Sequence, residues 1–156
     1  MIWIDFGIIC IGQEQISQPP DWKDIVVEGY RRMADSAPFY NESYHFAAAD
    51  ALTGCWYQIW LPDPRCYEDS FFDIADRGVP YVQTVPGWTA SVEKILRFYL
   101  AQSPVHRIAV LLRVQDRSDN VVHPLCSLDV FLQRLHDGEI RWNEVYHVHG
   151  DGIAGR

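Results

Sequence analysis

Histidine, cysteine and clustered carboxylates are the side chains here with chemistry to offer. His147 and His149 are two apart in a segment of strand-like alternation, so both imidazoles fall on one side of it. A His-x-His pair on a strand can chelate zinc, and His123-x-x-Cys126 can complete four ligands. Cys126 also immediately precedes a helix start, where a thiol pKa can fall, with His123 as its potential base. Glu68, Asp69, Asp73 and Asp76 form the densest acidic stretch. Asp69, Asp73 and Asp76 would share a face if that segment is helical. Three carboxylates on one face can meet water, a partner's basic residues or a hard cation, although the spacing is not that of an EF-hand. Ile4-Asp5-Phe6-Gly7 invites comparison with a phosphate loop, but Ile8-Ile9 follow the glycine where small hydroxyl residues would be needed. Asp5 therefore reads as an ordinary polar residue of a strand. No Walker loop, Gly-x-Gly-x-x-Gly or Gly-x-Ser-x-Gly pattern occurs.

These residues need elements to hold them, and the clearest periodicity runs from Trp88 to His149. Val92, Ile95, Leu96, Tyr99 and Leu100 have the spacing of one helix face, with Pro104 beyond the end. Arg107 to Val114 is short, branched and apolar on both sides, as a central strand with both faces covered should be. Ser127 caps a second helix carrying Leu128, Phe131, Leu132 and Leu135, which stops at Gly138. Ile140, Trp142, Tyr146 and Val148 then alternate on one side of a last strand, with Glu144 interrupting the apolar row. Strand, helix and strand in that order suit a parallel crossover. Val79 to Val85 is expected to supply a further strand before the first of these helices.

In the first half, Met1 to Cys10 alternates as a strand, and Gln13 to Pro20 reads as a polar linker. Trp22, Ile25, Val26, Tyr30 and Met33 predict a helix ending at Ala37-Pro38. Glu42 to Asp50 and Cys55 to Leu61 predict a hairpin. In its second strand Tyr57, Ile59 and Leu61 alternate with Trp56, Gln58 and Trp60. The two tryptophans either lie outward, as interface anchors or an oligomer contact, or are covered by another element. The expected architecture is a single α+β domain over 1–156: a mixed sheet of five or six strands with three main helices.

Composition narrows the function. The chain has 156 residues and a formal charge of −8. Residues 1–76 hold 13 acids and 4 bases, whereas residues 77–156 hold 8 acids and 9 bases. Such a balance argues against binding a nucleic acid backbone and permits an acidic face that steers toward a basic protein. The first eleven residues are too short an apolar run for a spanning helix and lack a basic leader, so the expectation is a cytoplasmic chain with no membrane contact. Cys10, Cys55, Cys66 and Cys126 are scattered and are expected as free, mostly buried thiols. No cofactor is indicated.

In size, acidity and the lack of a catalytic motif, the chain resembles the bacterial immunity proteins that neutralise polymorphic toxins of contact-dependent inhibition, Rhs and type VI systems. The resemblance implies a non-catalytic protein that binds a cognate toxin domain, such as a nuclease with a basic groove. It carries no family site residues. From the residues themselves, Glu68, Asp69, Asp73 and Asp76 are the expected partner-binding acids, with Trp56 and Trp60 as anchors. The competing expectation is a small metal- or Cys/His-dependent enzyme, which requires His123, Cys126, His147 and His149 to converge in one pocket.

Overall fold

A computed structural model describes residues 2–22, 25–32, 53–63, 81–82, 88–113, 121–142 and 144–150. Eight elements follow in chain order: β1 (Ile2–Ile11), β2 (Val26–Arg32), β3 (Gly54–Asp63), α1 (Trp88–Gln102), β4 (Arg107–Arg113), β5 (Val122–Ser127), α2 (Leu128–His136) and β6 (Val145–His149). The strands make one mixed sheet in the order β2-β3-β1-β4-β6-β5. Every neighbouring pair is antiparallel except β5–β6. The fold is thus α+β, with two helices rather than three among the described residues. No described helix is long and apolar enough to cross a membrane.

Both helices pack on the same side of the sheet. Tyr99 of α1 lies against Tyr57 of β3, with ring centroids 4.3 Å apart, and Phe131 of α2 meets Tyr146 of β6 edge-on at 5.7 Å. The five apolar residues at helical spacing in α1 are all buried, while Lys94 and Arg97 face water. Ile8, Cys10, Tyr57, Ile59, Ile108, Val110, Tyr146 and Val148 form the sheet's side of this core. The opposite side of the sheet is buried too, at Ile9, Trp56, Ala109, Leu111 and Val145. That explains why β1 and β4 are apolar at nearly every position.

Trp56 is only 4% exposed, so it is covered and offers no surface anchor. Its indole lies over Gly7 of β1, where an added Cβ would come within 2.5 Å of the ring. The glycine of the Ile4-Asp5-Phe6-Gly7 run is therefore a packing residue in mid-strand. Trp60 pairs with Asp5 and Val26 through its backbone.

Three sequence expectations change. The helix expected from Trp22 onward is largely β2, whose Val26, Val27 and Tyr30 pair with β3 around a register shift between Val27 and Gly29. Residues of this type favour strands, and the edge of β3 supplies a partner. The parallel crossover exists, but its first strand is β5, for which the sequence carries no strand signal, while β4 runs antiparallel to β6. The expected strand at Val79–Val85 reduces, at described Tyr81 and Val82, to one antiparallel bridge from Tyr81 to Arg141 and a bond from Val82 N–H to Ile140 O of 2.7 Å. The expected strand at Glu42–Asp50 lies outside the described residues; β3 pairs with β1 and β2.

The α1–β4 turn shows how local chemistry fixes this frame. Ser103 Oγ donates to Ile11 O at 2.6 Å and accepts from the N–H groups of Val105 and Arg107. His106 adopts a left-handed φ of 53° to complete the reversal. One serine thereby ties the end of α1 and the start of β4 to the end of β1.

Candidate functional site

The parallel β5–β6 pair brings His123 beside Tyr146, which is its register partner. The two rings stack at 4.1 Å, with planes only 3° apart. Glu144, just ahead of β6, has the same parity as Tyr146 and Val148 and so turns inward. Its side chain is only 9% exposed. A buried carboxylate needs partners for its oxygens, and Glu144 has two. His123 Nε2 lies 2.6 Å from Oε1, and Arg141 Nε lies 2.9 Å from Oε2.

Further contacts tie this cluster together. Arg141 N–H donates to Tyr146 Oη at 2.9 Å. The Arg141 guanidinium sits 5.2 Å from the Tyr81 ring centroid, a cation–π placement. Burial raises the Tyr146 phenol above its usual range, opposed in part by the bond from the Arg141 backbone. Each element thus contributes once: β5 the imidazole, the 141–144 segment the ion pair, and β6 the stacking ring.

Glu144 ionised can only accept, so the facing nitrogen Nε2 carries the proton. In the neutral imidazole this leaves the lone pair on Nδ1. Among the described residues no group bonds to Nδ1. The His123 side chain is 26% exposed and Arg141 44% exposed. The arrangement is a carboxylate-oriented imidazole beside a partly exposed guanidinium, which suits proton transfer, nucleophilic attack or the binding of an anion.

The four residues expected to form a metal or enzyme site do not converge. His123 stacks on Tyr146, and Cys126 packs against the helix-side core. His147 and His149 alternate with Tyr146 and Val148, and so lie on the other side of the sheet. Among the described residues no group of three or more His, Cys, Asp or Glu side chains is placed to hold a metal ion. The His147 pKa is lowered, first by burial and then by Arg107. His149 Nδ1 lies 3.3 Å from Gly150 O.

Cys126 does not gain an acidic thiol from its place before α2. Burial raises its pKa, and Arg134 only partly opposes this. The capping role belongs to Ser127, whose Oγ accepts from Val130 N–H at 3.2 Å. Cys10, Cys55 and Cys126 are in no disulfide, and Cys10 and Cys55 are fully buried. The acids Glu68, Asp69, Asp73 and Asp76, like Cys66, lie outside the described residues.

Sequence reasoning set His123 beside Cys126 and missed Glu144 and Arg141. The available signal was Glu144 itself: a carboxylate in phase with Tyr146 and Val148 on an inward-facing row must find a cation. No protein-family model matches this chain, and no curated protein or solved structure shows significant similarity to it.

Proposed function

We propose that this chain is a non-catalytic immunity protein of the cytoplasm that binds and neutralises a cognate bacterial toxin domain carrying a basic surface. The observation that carries this reading is the charge asymmetry: 13 acids against 4 bases in residues 1–76 of a chain whose net charge is −8. A basic groove, such as a nuclease needs for its substrate backbone, is the complement of that surface. Complementary charge accelerates encounter and rejects wrong partners. Glu68, Asp69, Asp73 and Asp76 are the proposed contacts, with Trp60 as the remaining aromatic candidate once Trp56 is assigned to the interior.

The test is capture of the tagged full chain from cells that express its neighbouring genes, followed by mass spectrometry. The reading expects one stoichiometric basic partner. Glu68→Lys, Asp69→Lys and Asp73→Lys combined should then weaken that complex at least about tenfold, since charge reversal turns attraction into repulsion. Recovery of no stoichiometric partner overturns the reading. Unchanged affinity after reversal overturns the acidic site and leaves the binding role standing. The enzyme reading based on His123, Cys126, His147 and His149 lost its support when the sheet divided them.

A further inference from the structure

We propose that His123 is a phosphoryl-acceptor histidine, modified at Nδ1 by small activated phosphoryl donors. This is independent of whether the chain binds a toxin. Three features of one cluster lead there. Glu144 holds Nε2 at 2.6 Å, which fixes the tautomer with its lone pair on Nδ1 and raises the electron density of the ring. Tyr146, stacked parallel to the imidazole, fixes its orientation. Nδ1 has no hydrogen-bond partner among the described residues, so the reactive lone pair is not spent on the fold.

The choice of a phosphoryl group follows from Arg141. Its Nε is committed to Glu144, but its two terminal amino groups have no described hydrogen-bond partner, and the side chain is 44% exposed. His123 and Arg141 hang from the two oxygens of one carboxylate, so they are near neighbours. A guanidinium is suited to the equatorial oxygens of a phosphoryl group in transfer and to the dianion that results. Glu144 offsets part of the Arg141 charge through Nε, but the terminal amino groups keep their donors for phosphoryl oxygens.

With phosphoramidate as donor the step balances without a further reagent. The Nδ1 lone pair attacks phosphorus, the Nδ1–P bond forms, and the P–N bond of the donor breaks. Ammonia leaves with the bonding pair. The Nε2 proton stays in the bond to Glu144, and ammonia takes up a proton from solvent as ammonium. The product is a phosphohistidine whose ring cation remains paired with Glu144 and whose phosphoryl dianion the Arg141 guanidinium can offset.

The experiment treats the full-length chain with phosphoramidate at neutral pH and follows each histidine by mass spectrometry and ³¹P NMR. His136, exposed on α2, is the internal comparator. The expected result is phosphorylation of His123 at Nδ1 at least about tenfold faster than His136, as charge-assisted orientation should give. Glu144→Gln should bring His123 down to the His136 rate, and Arg141→Gln should lower it partway. A pair that merely holds the fold together leaves His123 no faster than His136, and that result overturns the proposal. Modification at Nε2 overturns it as well, because that nitrogen would then be free of Glu144. Should Glu144→Gln fail to fold, the ratio of the two histidines within the unmodified chain still decides.

Discussion

The two ends of the sheet solve the same problem with different chemistry. Near β1 and β3, a neutral network joins segments far apart in the chain. Tyr57 Oη donates to Gln13 Oε1 at 2.7 Å and accepts from Ser17 N–H at 3.0 Å. Gln13 Nε2 donates to Ser17 Oγ, which in turn donates to Gln102 Oε1 at the end of α1. At the β5–β6 end, the cluster of His123, Glu144 and Arg141 is charged and spans only 21 residues. The neutral network spends its hydroxyls and amides on closing the fold. The charged cluster retains an unused imidazole nitrogen and guanidinium groups near the surface, so it is the one with chemistry left over. Low local polarity strengthens both kinds of bond, and losing a partner costs more at the charged end than at the neutral one.

The largest effect expected from breaking this contrast comes from His123→Ala combined with Arg141→Ala. The double variant leaves the Glu144 carboxylate, only 9% exposed, without a partner. Removing the partners of a buried charge costs about 3 kcal/mol, at the lower end of the usual range because Arg141 is partly exposed. Urea unfolding should show the loss. Either single variant should lose less than half of the total, because one partner remains. Strict additivity would mean that the three side chains do not act as a unit.

How far this contrast was legible in the sequence depends on the range of the interaction. α1, β4 and α2 declare themselves through local periodicity, since Val92, Ile95, Leu96, Tyr99 and Leu100 repeat at helical spacing wherever their partners lie. β2 was misread because Ile25, Val26 and Tyr30 satisfy a helical template by chance, while the deciding term is pairing with β3. β5 was hidden by Pro124, which removes a ladder N–H but is tolerated on an edge strand. The site fell with β5: the His123–Glu144 contact follows from the parallel register of β5 on β6, which no local pattern encodes. The neutral network was equally hidden, because Gln13 looked like part of a polar linker and is buried against Tyr57.

Tyr57→Phe tests the neutral end. It removes one hydroxyl, strands Gln13 Oε1 and Ser17 N–H, and leaves the ring against Tyr99 intact. A loss of about 2 kcal/mol is expected in denaturant unfolding, from unsatisfied buried partners rather than from lost packing. The loss should be the same at low and high salt, because no net charge is involved. The deficit of the double variant at the other end should vary with salt. Equal salt response at both ends would remove the distinction drawn between them.

The smallest effect concerns alkaline pH, where the neutral end gains a titrating group. Cys10 lies in the core with its Sγ donating to Tyr99 O at 3.2 Å. Burial, with a smaller contribution from nearby Cys55, pushes its thiol up to about 12 from an ordinary 9.0. The unfolded chain therefore gives up this proton near pH 9, while the folded chain keeps it until about pH 12. Across that window unfolding releases a proton, so stability falls as pH rises. The contribution is absent below pH 9 and reaches roughly 1 kcal/mol by pH 10. Cys10→Ala removes this component: relative to the unmodified chain it should lose stability at pH 7, from the small cavity, and recover part of that deficit between pH 9 and 10. Thermal unfolding across this range measures the difference in slope. Parallel stability curves for the two proteins would mean that the Cys10 thiol ionises in the folded core as readily as in the open chain.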